Sequence, residues 1–444
     1  MAGWRRPGVG RGGSVGRSKE LHGQTGEEQE RERDDHELLL AREAVHGARI
    51  ARGGAGAIAR FDRRARGIGD ALRDIAACFD ISAELQRNEN MDLPFIINGR
   101  GKRDQVVAVD FGSRITKAVH VQRAGGGYRF LGFVCVEAPT SGDKPPTKEV
   151  LTAHLKKVLD SLGAHAKQVC LVVGVGDSEL RFAEMPLVPV DELRGVLRIA
   201  GKNYVQQDLK DSLFDCHLLQ PKDVSKGEKV KGVAKTRVVI GIAKKDFVEH
   251  LEGVARGAGV QVDQVTLGYV GPANAFEMAM PEVFAKEVVA LVDIGYRNTT
   301  ISILQSGQLM LSRVVAFGAQ RLTASLAEAM GVTPDEIQLG KQPMTPEVES
   351  AAIAILLPLG RELRASVDFI DHQLDKPVSQ VFFSGGPARE NAIVQALQTE
   401  LMVPCQAWNP TSFLTLSLPA HQLGEVENLA PQLAVAIGAA MTSF

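Results

Sequence analysis

The 444-residue sequence lacks the features that define several large protein classes. No segment reaches the roughly 18 apolar residues that span a bilayer, and the longest candidate, residues 429–441, fits a packed helix. A GxxxxGK[ST] phosphate loop is absent, which argues against a P-loop site. The net charge of −2 offers no basic excess for nucleic acid. We therefore expect no nucleic-acid partner and no direct membrane insertion.

Cysteine is also scarce. The five thiols form no CxxC pair and belong to Cys78, Cys135, Cys170, Cys216 and Cys405. No histidine cluster with metal-ligand spacing lies near them. This pattern is typical of reduced, buried cysteines in a cytosolic protein.

The first ninety residues differ in composition from the rest. Residues 1–90 hold 15 Arg and 1 Lys, whereas residues 91–444 hold 16 Arg and 19 Lys. Residues 1–35 cannot bury enough apolar surface to offset the entropy of ordering them. Two interpretations remain open: a disordered interaction segment, or an upstream extension with translation starting at Met91, which the arginine bias favours.

From residue 105 onward, strand and helix patterns alternate, which predicts an α/β protein. Residues 106–109 and 168–175 are apolar runs typical of buried strands. Residues 147–162 have apolar side chains at helical spacing. Residues 191–204 predict a second helix, with Asp191 as its N-cap.

One segment occurs twice. The sequence VDFGSRIT at residues 109–116 recurs as VDIGYRNT at residues 292–299, with five of eight positions identical. Each copy reads as strand, tight turn and strand. Glycine lets the turn bring backbone N–H groups close to an anion. Two such turns that face each other would hold a triphosphate, and their aspartates would hold a hydrated Mg²⁺.

A third element follows near the end of the chain. Residues 381–389, VFFSGGPAR, predict an apolar strand, a turn at Gly385 and Gly386, and a helix that opens at Pro387. Paired glycines would leave room for a flat base against the backbone.

The three elements, in this order, resemble the phosphate 1, phosphate 2 and adenosine motifs of the actin/Hsp70/sugar-kinase superfamily. Within it, residues 104–444 resemble the PilM family of type IV pilus assembly proteins, which is related to the division protein FtsA. EMPLVPVDELR at residues 184–194 resembles the insert subdomain (1C) of both families. The resemblance implies a two-domain actin-like, ribonuclease H-like fold with that insert.

The resemblance also implies a domain layout. The expected parts are subdomain 1A (residues 104–167 and 266–287), insert 1C (168–265), subdomain 2A (288–318 and 378–428), subdomain 2B (319–377) and a connecting helix (429–444).

The resemblance implies a site for ATP and Mg²⁺, with Asp110 and Asp293 holding the metal through water. A helix over residues 334–341 would reach the ribose, although Gln338 replaces the acidic residue usual there. The contact of Lys117 is open, because alternate strand residues point opposite ways. The nucleotide contacts that the resemblance implies are Asp110, Gly112, Ser113, Lys117, Asp293, Gly295, Thr299, Gln338, Lys341, Gly385, Gly386 and Arg389.

Two departures from the superfamily pattern bear on catalysis. Gly271 stands where actin-like ATPases place an acidic or amide residue that positions water, and Asn274 or Glu277 lies a turn away. Tyr296 and Arg297 replace the glycines of strong ATPases in the second phosphate turn. Both departures favour nucleotide binding with slow or absent hydrolysis.

The resemblance implies a nucleotide-dependent cytoplasmic scaffold. The insert would bind the N-terminal peptide of a PilN-like inner-membrane protein, which would bring the chain to that membrane. Other pilus assembly proteins and further copies of the chain are additional expected partners. The alternatives are an FtsA-like division protein, a small-molecule kinase of the same fold, and the cytoplasmic part of a GspL-type secretion protein.

Overall fold

The computed structural model describes residues 104–139, 145–219, 234–337, 339, 344–374 and 376–444. The segment at residues 1–90, Gln338 and Lys341 lie outside the described residues. The strands are β1 (Gln105–Phe111), β2 (Ile115–Ala124), β3 (Gly127–Glu137), β4 (Gln168–Val173), β5 (Ser178–Pro186), β6 (Ser212–Leu218), β7 (Lys235–Lys244), β8 (Gln261–Leu267), β9 (Val288–Ile294), β10 (Thr299–Gln305), β11 (Gln308–Val315), β12 (Gln380–Gly385), β13 (Cys405–Ala407) and β14 (Leu414–Leu416).

Helices connect and cover these strands. They are α1 (Lys148–Leu162), α2 (Val190–Val205), α3 (Lys245–Gly257), α4 (Gly271–Ala279), α5 (Pro281–Lys286), α6 (Ala319–Met330), α7 (Pro346–Asp371), α8 (Asn391–Leu401), α9 (Ala420–Leu423), α10 (Val426–Leu429) and α11 (Ala434–Met441). Short 3₁₀ turns lie at Pro334–Glu336, Pro387–Arg389 and Ala430–Leu433. The predicted α/β class is confirmed.

Two sheets repeat one topology. The first has the order β14-β3-β2-β1-β4-β8, and the second has the order β11-β10-β9-β12-β13. In both, the strand that carries the repeated aspartate pairs antiparallel with the next strand and parallel with a later one. The sequence repeat therefore marks one structural unit built twice.

The first sheet is buried on both faces. Along β1, Val106, Val107, Ala108 and Val109 are each at most 5% exposed, which explains the continuous apolar run. Helices α1 and α3 pack against each other, and α1 covers β2 and β3. Helix α11 lies against β1, β2 and β4.

The insert forms its own small sheet, in the order β5-β7-β6, with α2 packed on one face. Its predicted limits were too wide. Strands β4 and β8 fall within residues 168–265 but pair with β1 and with each other in the first sheet. The separate sheet runs from β5 to β7. Strand β14, expected in subdomain 2A, also pairs with the first sheet, on β3.

Two helix predictions need correction. Helix α2 begins at Val190 after Pro189, so Asp191 lies in the first turn, where it accepts a hydrogen bond from Arg194 at 2.9 Å. The predicted single helix over residues 429–441 is broken into α10, a 3₁₀ turn and α11. Pro431 lies in that 3₁₀ turn and lacks the N–H that a continuous helix needs.

Helices α4 and α11 cross at a contact between two glycines. A Cβ on Gly438 would lie 1.8 Å from the carbonyl oxygen of Gly271. One on Gly271 would lie 2.8 Å from the Cα of Val435. Only glycine permits backbones to approach this closely, so both positions are set by packing.

In the described part of the chain, no helix is long and apolar enough to cross a membrane.

Candidate functional site

The two repeated segments form hairpins with the same local geometry. Residue pairs Phe111–Thr116 and Ile294–Thr299 flank four-residue turns in both hairpins. A Cβ on Gly112 would lie 2.4 Å from the carbonyl oxygen of Ile115. The corresponding atom on Gly295 would lie 2.8 Å from the carbonyl oxygen of Asn298. Both glycines are therefore required by the same close approach inside the turn.

An ion pair occupies the base of the first hairpin. Asp110 and Lys117 are directly paired across β1 and β2, so their side chains share a face. Lys117 Nζ lies 3.0 Å from Asp110 Oδ2, and Asp110 is 7% exposed. Desolvation alone would lower the pKa of Lys117, but the carboxylates of Asp110 and Asp293 outweigh it and raise that pKa. Ser113 is exposed in the turn above this pair.

The second aspartate is held by a residue that the sequence motifs did not mark as a contact. Asp293 lies on β9 opposite Ser384 of β12, whose hydroxyl donates to Asp293 Oδ1 at 2.8 Å. Ser384 is fully buried, and it belongs to the SGG segment of the third motif. The sequence motif therefore contained Ser384, but only the parallel pairing of β12 with β9 shows that its partner is Asp293.

Thr299 does not face this site. Its hydroxyl is buried and donates to the carbonyl of Phe317 at 2.7 Å. Thr300, the next residue, pairs with Asp293 and therefore shares its face. The expected contact of Thr299 with nucleotide is wrong, because strand alternation points its side chain to the other side of the sheet.

The two hairpins approach each other from different sheets. The Arg114 guanidinium, in the first turn, lies 5.4 Å from the ring centroid of Tyr296 in the second. The charges below also interact, because Lys117 acts on Asp293 as well as on Asp110. The structure thus brings the two hairpins, and with them Asp110, Lys117 and Asp293, close together. We refer to the region between the two hairpins as the crevice.

The glycines of the third motif differ in role. Gly385 has φ +93°, and a Cβ there would lie 2.2 Å from the carbonyl oxygen of Ile294. It is therefore required by the backbone and by contact with β9. A Cβ on Gly386 would meet nothing within 4 Å, so this glycine borders open space.

Arg389 is placed differently from the expectation. It ends the 3₁₀ turn at Pro387–Arg389 rather than lying on the following helix, which begins at Asn391. Its Nε donates to Asn428 Oδ1 at 3.1 Å. This bond ties the third motif to the C-terminal segment.

The segment that was expected to reach the ribose as a helix is a 3₁₀ turn at Pro334–Glu336. Gln338 and Lys341 lie outside the described residues.

The carboxylates present restrict how a metal could bind. No group of three His, Cys, Asp or Glu side chains able to hold an ion occurs among the described residues. Mg²⁺ is commonly held by one or two carboxylates with waters and phosphate oxygens. Asp110 and Asp293 fit that limited role, and Lys117 already neutralises the first of them.

The surroundings of Asp293 disfavour its ionised form. Burial raises its pKa, Ser384 and Lys117 oppose that shift, and the charge of Asp110 adds to it. A raised pKa means that folded Asp293 holds its proton more tightly than the unfolded chain does. Its contribution to stability is therefore largest below the unfolded pKa of about 3.9 and is lost as pH rises through the folded value.

We therefore expect Asp293→Asn to raise the midpoint of thermal unfolding at pH 8, with a smaller gain at pH 5. The asparagine oxygen can still accept from Ser384, which isolates the effect of charge. Melting curves at both pH values check this. A lower midpoint for the variant at pH 8 would show that the carboxylate stabilises the fold.

The duplicated sheets, with one glycine hairpin from each meeting at a common crevice, define a protein of the actin-like fold. The sequence profile of the family described as "Type IV pilus assembly protein PilM" matches residues 108–444. The chain belongs to this family.

Two solved structures are similar to this chain. A chain of the PilM–PilN type IV pilus biogenesis complex is 19% identical with a TM-score of 0.64, and the match covers 77% of this chain and 99% of that one. The ethanolamine utilization protein EutJ from Carboxydothermus hydrogenoformans is 14% identical with a TM-score of 0.43, covering 82% and 99%. At 19% identity, the first of these matches shows the fold alone.

Proposed function

We propose that this protein is an ATP-binding scaffold of type IV pilus assembly whose insert binds the N-terminal peptide of a PilN-like inner-membrane protein. The observation that carries the nucleotide part is the contact of the two glycine hairpins through Arg114 and Tyr296, above the charged side chains of Lys117, Asp110 and Asp293. Turns of this kind direct backbone N–H groups at anions. The bound partner would hold the protein at the cytoplasmic face of the inner membrane.

The residues of the crevice suit a nucleotide triphosphate. Lys117 supplies a cation beside the first turn. Asp110 and Asp293 can each accept hydrogen bonds from the waters of a phosphate-bound Mg²⁺. Gly386 borders open space where the base would lie. Bound Mg²⁺ would neutralise phosphate charge, while the chain's own residues would orient the phosphates.

Hydrolysis is proposed to be slow or absent. The position expected to orient water, Gly271, is used for the contact between α4 and α11. The side-chain oxygen and nitrogen of Asn274, one turn later, are buried without a hydrogen-bond partner among the described residues. Buried amides without partners commonly bind ordered water. We propose that Asn274, or Glu277 on the same helix, would order the water for a weak ATPase activity.

The insert contacts the second large sheet, which carries one of the two glycine hairpins. Arg237 of β7 stacks on Phe182, 4.6 Å from the ring centroid. It also donates to the carbonyl of Met310 in β11, at 2.7 Å. The insert is thus bonded to the edge of the second sheet. A ligand that changes the angle between the two large sheets would shift this contact and bias the insert between states.

Binding of a synthetic peptide tests the proposal. The peptide carries the N-terminal cytoplasmic residues of the neighbouring PilN-like protein and is titrated with and without Mg-ATP. We expect binding in at least one condition and an affinity that changes on adding nucleotide. No binding in either condition would remove the scaffold function.

A matched pair of variants locates the binding surface. Ile199 is 70% exposed on α2 of the insert, and Ile353 is 51% exposed on α7 of the second half. Ile199→Lys should weaken peptide binding by about tenfold, a loss of about 1.4 kcal/mol, whereas Ile353→Lys should leave it unchanged. Equal effects of both variants would place the peptide outside the insert.

A further inference from the structure

Two residues that lie outside the predicted nucleotide contacts meet between the hairpins. Arg114 follows Ser113 in the first turn, and Tyr296 follows Gly295 in the second. Besides stacking on the ring, Arg114 Nη1 lies 3.5 Å from the Tyr296 hydroxyl. The contact joins the two turns at the point where an anion between them would lie.

The Arg114 guanidinium can exchange its present partner for a phosphate group. Among the described residues it forms no ion pair with a carboxylate, and Glu137 and Asp335 act on it only through longer-range electrostatics. Its partner is Tyr296, through the ring and a long contact with the hydroxyl. Such contacts with a neutral residue are weak at exposed sites. Arginine prefers phosphate, because its planar fork matches two phosphate oxygens.

We propose that Arg114, positioned by Tyr296, binds the terminal phosphate of a nucleoside triphosphate and so distinguishes triphosphate from diphosphate. This inference rests on the proposed nucleotide site and deepens it. A phosphate chain gripped by both turns passes beside the Arg114–Tyr296 contact. The terminal phosphate replaces the tyrosine hydroxyl as the acceptor, and the ring continues to hold the plane of the guanidinium. A diphosphate lacks the group that makes this exchange.

The repeat supplies a control for general electrostatics. Arg297 occupies in the second hairpin the position that Arg114 occupies in the first. It is exposed and carries the same charge near the same crevice. Loss of Arg297 therefore removes one positive charge without removing the contact between the turns.

Calorimetric titration with Mg-ATP and Mg-ADP tests the proposal on the full chain. The proteins are the wild type, Arg114→Gln, Tyr296→Phe and Arg297→Gln. Arg114→Gln should weaken ATP binding by about tenfold and ADP binding by less than about twofold. Tyr296→Phe keeps the ring and should have a smaller effect on ATP. Arg297→Gln should change both affinities by the same factor.

Two results would overturn the inference. Equal losses of ATP and ADP affinity in Arg114→Gln would show that Arg114 attracts both nucleotides by its charge and does not bind the terminal phosphate. A gain in ATP affinity would show that the contact blocks the crevice. Wild type that binds neither nucleotide would remove the proposed nucleotide site itself, a result distinct from an unchanged ATP/ADP ratio. Thermal unfolding of each variant confirms that the exposed substitutions leave the fold intact.

Discussion

Replacing Asp110 with asparagine is expected to reduce sharply the dependence of ATP binding on Mg²⁺. In the wild type, Mg²⁺ should tighten ATP binding by at least about tenfold. The neutral asparagine side chain cannot neutralise hydrated Mg²⁺, while its amide oxygen can still accept from Lys117, which lies 3.0 Å from the wild-type carboxylate. Because Asp293 remains, we expect the ratio of affinities with and without Mg²⁺ to fall by about threefold or more without reaching one.

The magnesium ratio is more informative than the affinity itself. Without the Asp110 charge, the positive charge of Lys117 is no longer neutralised and acts fully on phosphate, so metal-free ATP should bind as well as before or better. Asp104→Asn is a matched control, since Asp104 is exposed just before the other end of the same strand. It should keep the wild-type ratio. If Asp110→Asn also keeps it, Asp110 has no part in holding the metal.

Gly438→Ala is expected to have the largest effect on stability. The added methyl would lie 1.8 Å from the Gly271 carbonyl oxygen, which is backbone and cannot rotate aside. Helices α4 and α11 would have to separate, and α11 is anchored against β1, β2 and β4. Overpacking of this kind should lower the free energy of unfolding by about 3 kcal/mol or more.

Urea unfolding measures that loss, provided that the slope with denaturant stays constant. Gly424→Ala is the control, because Gly424 has φ −78° and a Cβ added there would meet no atom within 4 Å. Its free energy of unfolding should stay within about 0.5 kcal/mol of the wild-type value. A Gly438→Ala variant as stable as this control would contradict the close crossing of the two helices.

The sequence predicted the duplicated part of the fold well. The repeat around Asp110 and Asp293 lies at the end of the corresponding strand in each sheet. Both copies form the same hairpin, which places aspartate and glycine at fixed positions next to a tight turn. Gly112 and Gly295 show the physical reason, since each turn excludes a Cβ at the same place. Local constraints of this kind leave a pattern that can be read without a structure.

Features that depend on distant pairing were missed or misplaced. Ser384 and Asp293 are 91 residues apart in the chain. They meet only because β12 pairs in parallel with β9. The family resemblance implied a contact for Thr299, whereas the register of β9 and β10 places Thr300 on the face that carries Asp293. The insert limits failed because an apolar strand such as β4 has the same pattern whichever sheet it joins.

Gly271 illustrates a third kind of difference. Its lack of a side chain suggested a lost catalytic group, and the structure adds a positive reason for glycine, the crossing with Gly438. The same contact would tie the crevice to the C-terminal helix if nucleotide moves α4. No local pattern predicts it, because the two glycines are far apart in the chain and meet only in the folded protein.

The central claim is that both hairpins grip one phosphate chain. Its most direct test is a crystal structure grown with a non-hydrolysable ATP analogue and Mn²⁺, whose anomalous signal locates the metal. We predict a single Mn²⁺ peak beside Asp110 and Asp293, with phosphates between Gly112 and Gly295. Nucleotide phosphates contacting one hairpin only, or a metal remote from both aspartates, would contradict the claim.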